Sequence, residues 1–214
     1  MTQTRWWWVR HAPVTETNGR VYGSTDPNCD TDNPPAYQAL DVILPDEAHW
    51  VTSHLRRTKQ TAAAIAAAGG RVIDPAEEEG LGEQDFGDWH GLTHDEVFAL
   101  PTASRFWLAP ATHRAPNGES FADLCVRTTR VIHRLTDEWA GRDIIAVAHG
   151  GTIRAALALA LDLDPETGLR FATDNISLTR IDHFTGDDGH AENWRVVYMN
   201  RQPHMPPEDT NQSV

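Results

Sequence analysis

Arginine and histidine residues follow three apolar runs of the sequence. They are Arg10 and His11 after residues 6–9, Arg56 and Arg57 after residues 48–52, and His149 after residues 143–148. An arginine presents a planar fork of N–H donors that matches phosphate oxygens, and a neutral imidazole can attack phosphorus as a nucleophile. If the three stretches meet in the fold, they predict a pocket that binds a phosphoryl group and stabilises its charge during transfer.

Transfer of a phosphoryl group also needs a proton donor for the leaving oxygen. One carboxyl group can act first as that acid and then as the base that activates water. Glu83 is the candidate, because it lies in the irregular stretch GLGEQDFGDWHGL at residues 80–92, which suits a loop arranged around a site. Asp85 and Asp88 lie in the same stretch and compete with Glu83 for the role on sequence grounds.

The elements that must position these residues alternate between strands and helices. Predicted strands are residues 4–9, 48–52 and 143–148; predicted helices are the alanine-rich stretch that ends at Gly69 and Gly70, the amphipathic stretch 119–140 with a capping box at Ser120 and Asp123, and residues 152–163. This alternation predicts an α/β fold, a three-layer αβα sandwich with a mostly parallel central sheet. Ligands bind such sheets beyond the carboxyl ends of the strands, where the polar residues fall.

Residues 92–118 fit the alternation poorly. They combine a short helical piece with prolines and an apolar group at Phe106, Trp107 and Leu108. We expect a small helical lid insertion here, with a plain surface excursion as the alternative.

The end of the chain has two features of its own. Two β-like stretches flank Asp188 and Gly189, a turn signal, and predict a final hairpin-like pair of strands. Residues 201–214 contain three prolines and few apolar residues, which predicts a flexible tail. We therefore expect one catalytic domain over residues 1–200.

The composition narrows the class of protein. With 18 Lys and Arg against 31 Asp and Glu, the formal net charge of -13 disfavours nucleic acid and anionic membranes as partners. No apolar run is long enough for a membrane span and no secretory signal is recognisable, so a cytoplasmic location is expected. The two cysteines, Cys29 and Cys125, form neither a disulfide framework nor a paired metal motif.

Four motifs in order make the sequence similar to the histidine phosphatase superfamily, which includes the cofactor-dependent phosphoglycerate mutases. The motifs are VRHAP at residues 9–13, SHLRRTKQTA at 53–62, LGEQDFGDWHG at 81–91 and VAHGG at 147–151. The resemblance implies that His11 is the phosphorylated nucleophile and Glu83 the proton donor. It implies that Arg10, Arg57 and His149 complete the phosphate pocket, and it selects Arg57 over Arg56 by counting from Ser53.

The resemblance also implies a second set of residues near the substrate. Its members are Asn18, Tyr22, Gly23 and Ser24 in the loop after the first strand, and Glu119 and Ser120 before the long helix. Capping of that helix by Ser120 is an equally good interpretation and does not exclude a contact.

Two positions depart from the family pattern. Ala12 and Pro13 replace the glycine and glutamate of the mutases, and His90 replaces the common glutamate after the tryptophan. The first departure makes the chain more similar to the phosphatase branch, closest to α-ribazole phosphatase-like members. The second bears on substrate preference and on the pH profile, because histidine titrates near neutrality.

We therefore predict a phosphoric monoester hydrolase: a metal-independent phosphatase that acts on a small soluble phosphomonoester through a phosphohistidine. No cofactor is expected, and the oligomeric state stays open, with a homodimer among the options. Sugar phosphates, nucleotide-derived phosphates such as α-ribazole phosphate, and a phosphorylated protein histidine are the candidate substrates.

Three other functions compete with this prediction. The first is a phosphoglycerate mutase, and the second is a phosphate-ligand-binding or regulatory protein without turnover. The third is a metal enzyme that uses His90 and His94, which have the i, i+4 spacing of helical ligands but no established third partner.

Overall fold

A six-stranded mixed sheet forms the centre of the fold in the computed structural model, which describes residues 2–101, 107–185 and 193–203. The strands are β1 (Thr2–Arg10), β2 (His49–Thr52), β3 (Ala76–Glu77), β4 (Asp143–Ala148), β5 (Leu178–Thr185) and β6 (Asn193–Arg201), in the spatial order β3-β2-β4-β1-β5-β6. Strands β3, β2, β4 and β1 are adjacent in this order and run parallel to one another, and β5 pairs antiparallel with both β1 and β6. The prediction of a mostly parallel central sheet is confirmed.

Helices cover both faces of this sheet. They are α1 (Pro34–Ile43), α2 (Arg56–Gly69), α3 (His94–Phe98), α4 (Phe121–Glu138), α5 (Gly150–Ala160) and α6 (Pro165–Gly168). One hydrophobic cluster joins the sheet to α1 and α2, and a second joins its other face to α4 and α5. The chain therefore forms the predicted three-layer αβα sandwich.

The three tryptophans of β1 show how one strand serves both layers. Side chains alternate along a strand, so Trp7 belongs to the first cluster, while Trp6 and Trp8 belong to the second. The rings of Trp6 and Trp8 stack with centroids 4.9 Å apart. The Nε1–H of Trp7 donates a 2.8 Å hydrogen bond to Asp143 Oδ1, so this buried N–H group does not lose its hydrogen bond on folding.

Helix ends follow the expected signals. Gly70 lies just beyond α2 with φ of 66°, the left-handed conformation that favours glycine at a helix C-terminus. Ser120 caps α4, since its side chain accepts from Asp123 N while the Asp123 carboxylate accepts from Ser120 N.

The expected lid, the final pair of strands and the tail are only partly covered by the described residues. The segment 92–118 contains α3, and its role as a lid stays a prediction, because residues 102–106 lie outside the described residues. The predicted turn at Asp188 and Gly189 and most of the predicted tail also lie outside them, although β5 and β6 pair as expected. In the parts of the chain described, no helix has the length and apolar character needed to cross a membrane.

Candidate active site

The carboxyl ends of three neighbouring strands meet at one edge of the sheet. Strand β4 lies between β1 and β2 and is parallel to both, so His11 after β1 and His149 after β4 are brought together. Their ring centroids are 5.1 Å apart, and both side chains are buried. The sheet topology therefore supplies the convergence that the sequence predicted.

His11 is held in one tautomer by its own backbone. Its Nδ1–H donates to the carbonyl oxygen of Ala12 at 2.6 Å, since a carbonyl can only accept. The neutral ring therefore keeps a lone pair on Nε2. Burial, together with the positive charges of Arg57 and Arg10, holds the pKa of His11 well below 6.5, so the ring stays neutral at neutral pH.

Arg57 lies fully buried at the start of α2 and is fixed by three acceptors. Its Nη2 donates to Gly23 O at 2.6 Å and its Nη1 to Thr25 O at 2.7 Å. Its Nε donates to Nδ1 of His149 at 3.3 Å. A guanidinium carries five N–H groups, so part of the fork remains free for phosphate oxygens.

His149 joins Arg57 to the end of β2. Because Nδ1 accepts from Arg57, the ring proton lies on Nε2, which donates to Ser53 Oγ at 2.8 Å. Burial, followed by the charges of Arg57, His11 and Arg10, lowers the pKa of His149 well below 6.5.

Arg10 completes the cationic set. Its Nη1 donates to Thr173 O at 2.5 Å, which orients the guanidinium. Its Nε and the hydroxyl of Thr173 are both buried, and neither has a hydrogen-bond partner among the described residues. Leaving a buried donor unpaired costs about 1–3 kcal/mol, so a ligand oxygen at this position would be favoured.

Glu83 approaches the same edge from the loop that precedes α3. Its Oε1 accepts from Gln84 N at 3.0 Å and from Gly151 N, at the N-terminus of α5, at 3.2 Å. A Cβ at position 151 would lie 2.3 Å from that oxygen, so only glycine allows the approach. These backbone contacts hold the carboxylate in the wall of a cavity that Arg10 also lines.

The competing residues have other partners. Asp85 Oδ1 accepts from Gly87 N at 2.9 Å, and Asp88 accepts from the side chain of Asn117. Arg56 binds Asp26 through its Nε at 2.9 Å, and its side chain is largely exposed. Of the three candidate acids Glu83, Asp85 and Asp88, Glu83 alone lines the cavity that Arg10 also lines.

That cavity has a volume of about 280 Å³ and holds part of the predicted substrate loop. Tyr22 and Gly23 line it, and the ring of Tyr22 lies under the Arg57 guanidinium, whose Cζ is 5.1 Å from the ring centroid. Asn18 is exposed with a φ of 50°, and Ser24 is half-buried; the described cavity wall includes neither.

Glu119 and Ser120 lie behind the glutamate loop. Arg127 of α4 binds the Glu119 carboxylate through Nε at 3.1 Å and Nη2 at 2.6 Å, and donates to Glu83 O at 3.2 Å. Glu119 also accepts from Asp85 N. These contacts position the backbone around Glu83, and Ser120 is engaged as the cap of α4.

His90 and His94 make separate hydrogen bonds. His90 Nε2 accepts from Phe86 N at 3.2 Å, and burial lowers the pKa of this ring against the opposing charge of Asp85. His94 Nδ1 donates to Gly19 O at 2.8 Å. In the part of the chain that the structure describes, no group of three or more His, Cys, Asp or Glu residues is arranged to hold a metal ion.

Sequence reasoning missed Arg154, and it named Trp107 only as part of the apolar group in the expected lid segment 92–118. The Arg154 guanidinium lies over the Trp107 ring at 4.6 Å, and its Nε donates to Phe171 O at 2.8 Å. Burial, against the attraction of Glu83, lowers the pKa of Arg154 to about 10. One signal was available: Arg154 follows Gly150 by four residues, so both fall on the same face of α5.

The chain is similar to several proteins that are named as phosphatases. It is 37% identical over 166 residues to a glucosyl-3-phosphoglycerate phosphatase of Mycolicibacterium vanbaalenii, covering 72% of this chain and 73% of the relative. A solved structure of mycobacterial glucosyl-3-phosphoglycerate phosphatase superposes with a TM-score of 0.79 at 27% identity, covering 93% of this chain and 99% of the other.

A third relative is a bifunctional protein of Mycobacterium tuberculosis, 35% identical over 130 residues. The match covers 60% of this chain, which spans about a third (35%) of that longer relative. The family model of the histidine phosphatase superfamily (branch 1) matches residues 6–200. The motifs, the sandwich and the convergent site agree with that match, and the chain belongs to the histidine phosphatase superfamily.

Proposed function

We propose that the protein is a metal-independent phosphatase that hydrolyses a small soluble phosphomonoester through a phosphohistidine on His11. The observation that carries the proposal is the hydrogen bond from His11 Nδ1 to Ala12 O, which leaves Nε2 as a nucleophile beside Arg10 and Arg57. Nothing in this chemistry requires a metal, because guanidinium groups can neutralise the charge that a metal would otherwise balance.

In the first step, His11 Nε2 attacks phosphorus in line with the leaving oxygen. The N–P bond forms as the P–O bond to the leaving group breaks, and protonated Glu83 gives its proton to the departing alkoxide. The alcohol leaves, and Glu83 becomes a carboxylate. The ring of His11 then carries the phosphoryl group on Nε2 and keeps its proton on Nδ1.

In the second step, water attacks phosphorus as the N–P bond breaks. The Glu83 carboxylate takes a proton from that water, which restores its acid form, and His11 Nε2 recovers its lone pair. Inorganic phosphate is released. The hydrogen bond from Gly151 N holds the carboxylate in place through both steps without competing for its proton, since an N–H only donates.

The electrostatics favour the bound dianion and the transition state. Two imidazoles whose pKa values are lowered are neutral at neutral pH, so the site's permanent positive charges come from arginines. These donors are fixed before substrate arrives, by Thr173 O for Arg10 and by Gly23 O and Thr25 O for Arg57. Fixed donors need little reorganisation as charge grows on the phosphoryl oxygens.

The relatives named as phosphatases support the reaction class and suggest the substrate class. We propose a phosphorylated metabolite of the sugar or phosphoglycerate type, in the cytoplasm, with nucleotide-derived phosphates such as α-ribazole phosphate and protein phosphohistidine as alternatives. Tyr22 and Gly23 would contact the substrate directly. Asn18, Ser24, Glu119 and Ser120 are proposed to shape the opening from further away.

The test is release of phosphate from p-nitrophenyl phosphate and from a panel of phosphomonoesters, with chelator present, comparing the wild type with His11→Ala. Chelator-resistant turnover that the substitution abolishes is the expected result. Acid-labile, base-stable labelling of His11 after rapid quenching would identify the intermediate. Transfer of the label to phosphoglycerate without net phosphate release would favour a mutase, and binding without any release would favour a regulatory protein.

A further inference from the structure

The cavity extends well beyond the catalytic residues. Its buried or half-buried lining includes Arg10, Tyr22, Gly23 and Glu83, which we call the inner end. Its exposed lining residues are Arg20, His94 and Phe98, which we call the outer end. In the proposed mechanism Arg10 binds the phosphoryl group at the inner end. The leaving group of the substrate then faces the outer end.

Arg20 is a permanent positive charge in the exposed part of the cavity wall. Its Nη1 donates to Gly91 O at 2.7 Å, and its backbone pairs with Thr93 in an isolated bridge, so both the side chain and its base are fixed. None of the ion pairs found among the described residues includes Arg20. The pKa of the Glu96 carboxylate is lowered chiefly by hydrogen bonds from Thr93 and to a lesser degree by the charge of Arg20. The neighbouring carboxylate of Glu96 is occupied by the N–H and hydroxyl of Thr93.

The surroundings of Arg20 suit a ring that bears an acid group. The exposed ring of Phe98 lines the same wall, and His94, which is fixed through Nδ1 to Gly19 O, lies beside it with ring centroids 6.4 Å apart. Aromatic walls favour a flat or apolar body through area burial. An arginine fork favours a carboxylate or a second phosphate through paired hydrogen bonds.

We propose that Arg20 binds a second anionic group on the leaving-group side of the substrate and thereby selects phosphomonoesters that carry such a group. This inference rests on the proposed function and names the substrate class of the same site. The rest of the chain argues for a dedicated contact, because a protein of net charge -13 attracts anions only where cations are placed locally.

The test compares two esters that differ only in the second charge, phenyl phosphate and 4-carboxyphenyl phosphate. The measured quantity is the ratio of their kcat/KM values in the wild type and in Arg20→Gln, since the change of ratio cancels differences in leaving-group reactivity. In Arg20→Gln the ratio of kcat/KM for 4-carboxyphenyl phosphate to kcat/KM for phenyl phosphate should fall by about fivefold or more, which is equivalent to about 1 kcal/mol. Arg20→Lys should retain part of the preference, because it keeps the charge but not the fork.

Arg142→Gln is the matched control. It removes the same charge from an exposed position before β4, at the opposite edge of the sheet from the catalytic residues. An equal loss of preference in both variants would reduce the effect to net charge and overturn the proposal. An unchanged ratio in Arg20→Gln would overturn it as well.

A binding measurement separates this inference from the proposed function. Calorimetry with benzylphosphonate and 4-carboxybenzylphosphonate requires no turnover, so it applies even if phosphate release fails. A preference for the carboxylated compound that Arg20→Gln removes supports the inference in either case. Turnover of phenyl phosphate without any such preference would retain the phosphatase and reject the role of Arg20.

Discussion

The Nε of Arg57 lies 3.3 Å from Nδ1 of His149, and both side chains are fully buried. Arg57 comes from the first turn of α2 and His149 from the end of β4, so this hydrogen bond ties two separate strand ends to one position for the phosphoryl group. It also fixes the tautomer of His149 before substrate binds. The pocket is therefore assembled by contacts between its own binding groups.

Replacing Arg57 with lysine should reduce kcat/KM for phosphate release by at least roughly thirtyfold. This corresponds to a loss of about 2 kcal/mol of transition-state stabilisation, the scale of one lost donor. Lysine keeps the charge but cannot reach Gly23 O, Thr25 O and His149 together, as the guanidinium does. Arg56→Lys, at the largely exposed neighbour, is the matched control and should leave turnover unchanged. Equal behaviour of the two variants would contradict the assignment.

Glu83→Gln should slow alkyl phosphates far more than p-nitrophenyl phosphate. An alkoxide is a poor leaving group and needs the proton that glutamine cannot give, whereas p-nitrophenolate leaves without one. Rates of the first step, measured by rapid quench for both esters, give the comparison. A similar loss for both classes would assign Glu83 to a role other than proton donation.

Gly151→Ala should displace the Glu83 carboxylate, because the new Cβ would lie 2.3 Å from Oε1. The expected result is a lower kcat for alkyl phosphates. The same substitution in a Glu83→Gln background is the control, and there its additional effect should be small if it acts through the acid alone. Independent effects in the two backgrounds would show that Gly151 serves the fold and not the carboxylate.

The free energy of unfolding should fall as the pH is lowered from 7 toward 5. The pKa of His11 and that of His149 are lowered in the folded protein, so the unfolded chain takes up protons first as the pH passes through 6.5. Each such histidine contributes a slope of up to about 1.4 kcal/mol per pH unit. Urea unfolding at several pH values measures this slope, and His149→Asn should make it shallower; an unchanged slope would contradict the prediction.

The sandwich could be predicted because short sequence patterns indicate its strands and helices. An apolar run at 143–148 indicates a strand buried on both faces, and Ser120 with Asp123 marks the start of a long helix. The convergence of Arg10, His11 and His149 then follows from parallel strands having their carboxyl ends at one edge. These inferences need only local patterns and one rule of topology.

The contacts that sequence reasoning did not predict depend on how the loops fold. Arg20 reaches the cavity through a bridge to Thr93, seventy-three residues along the chain, which no periodicity reveals. Glu119 stands beside Ser120 in a stretch that suggested substrate contact, yet Arg127, two helical turns further along, binds its carboxylate. Both outcomes are decided by long-range pairing of charged and backbone groups.

The position of β1 in the sheet has a consequence for how the protein folds during its synthesis on the ribosome. Its two neighbours are β4 and β5, so the strand made first pairs only with segments that are synthesised after residue 142. Contacts of such large sequence separation form late and slowly. Trp6, Trp7 and Trp8 therefore lack their partners in the sheet until residues beyond 142 have been synthesised, and during this interval a chaperone could shield their exposed apolar surface.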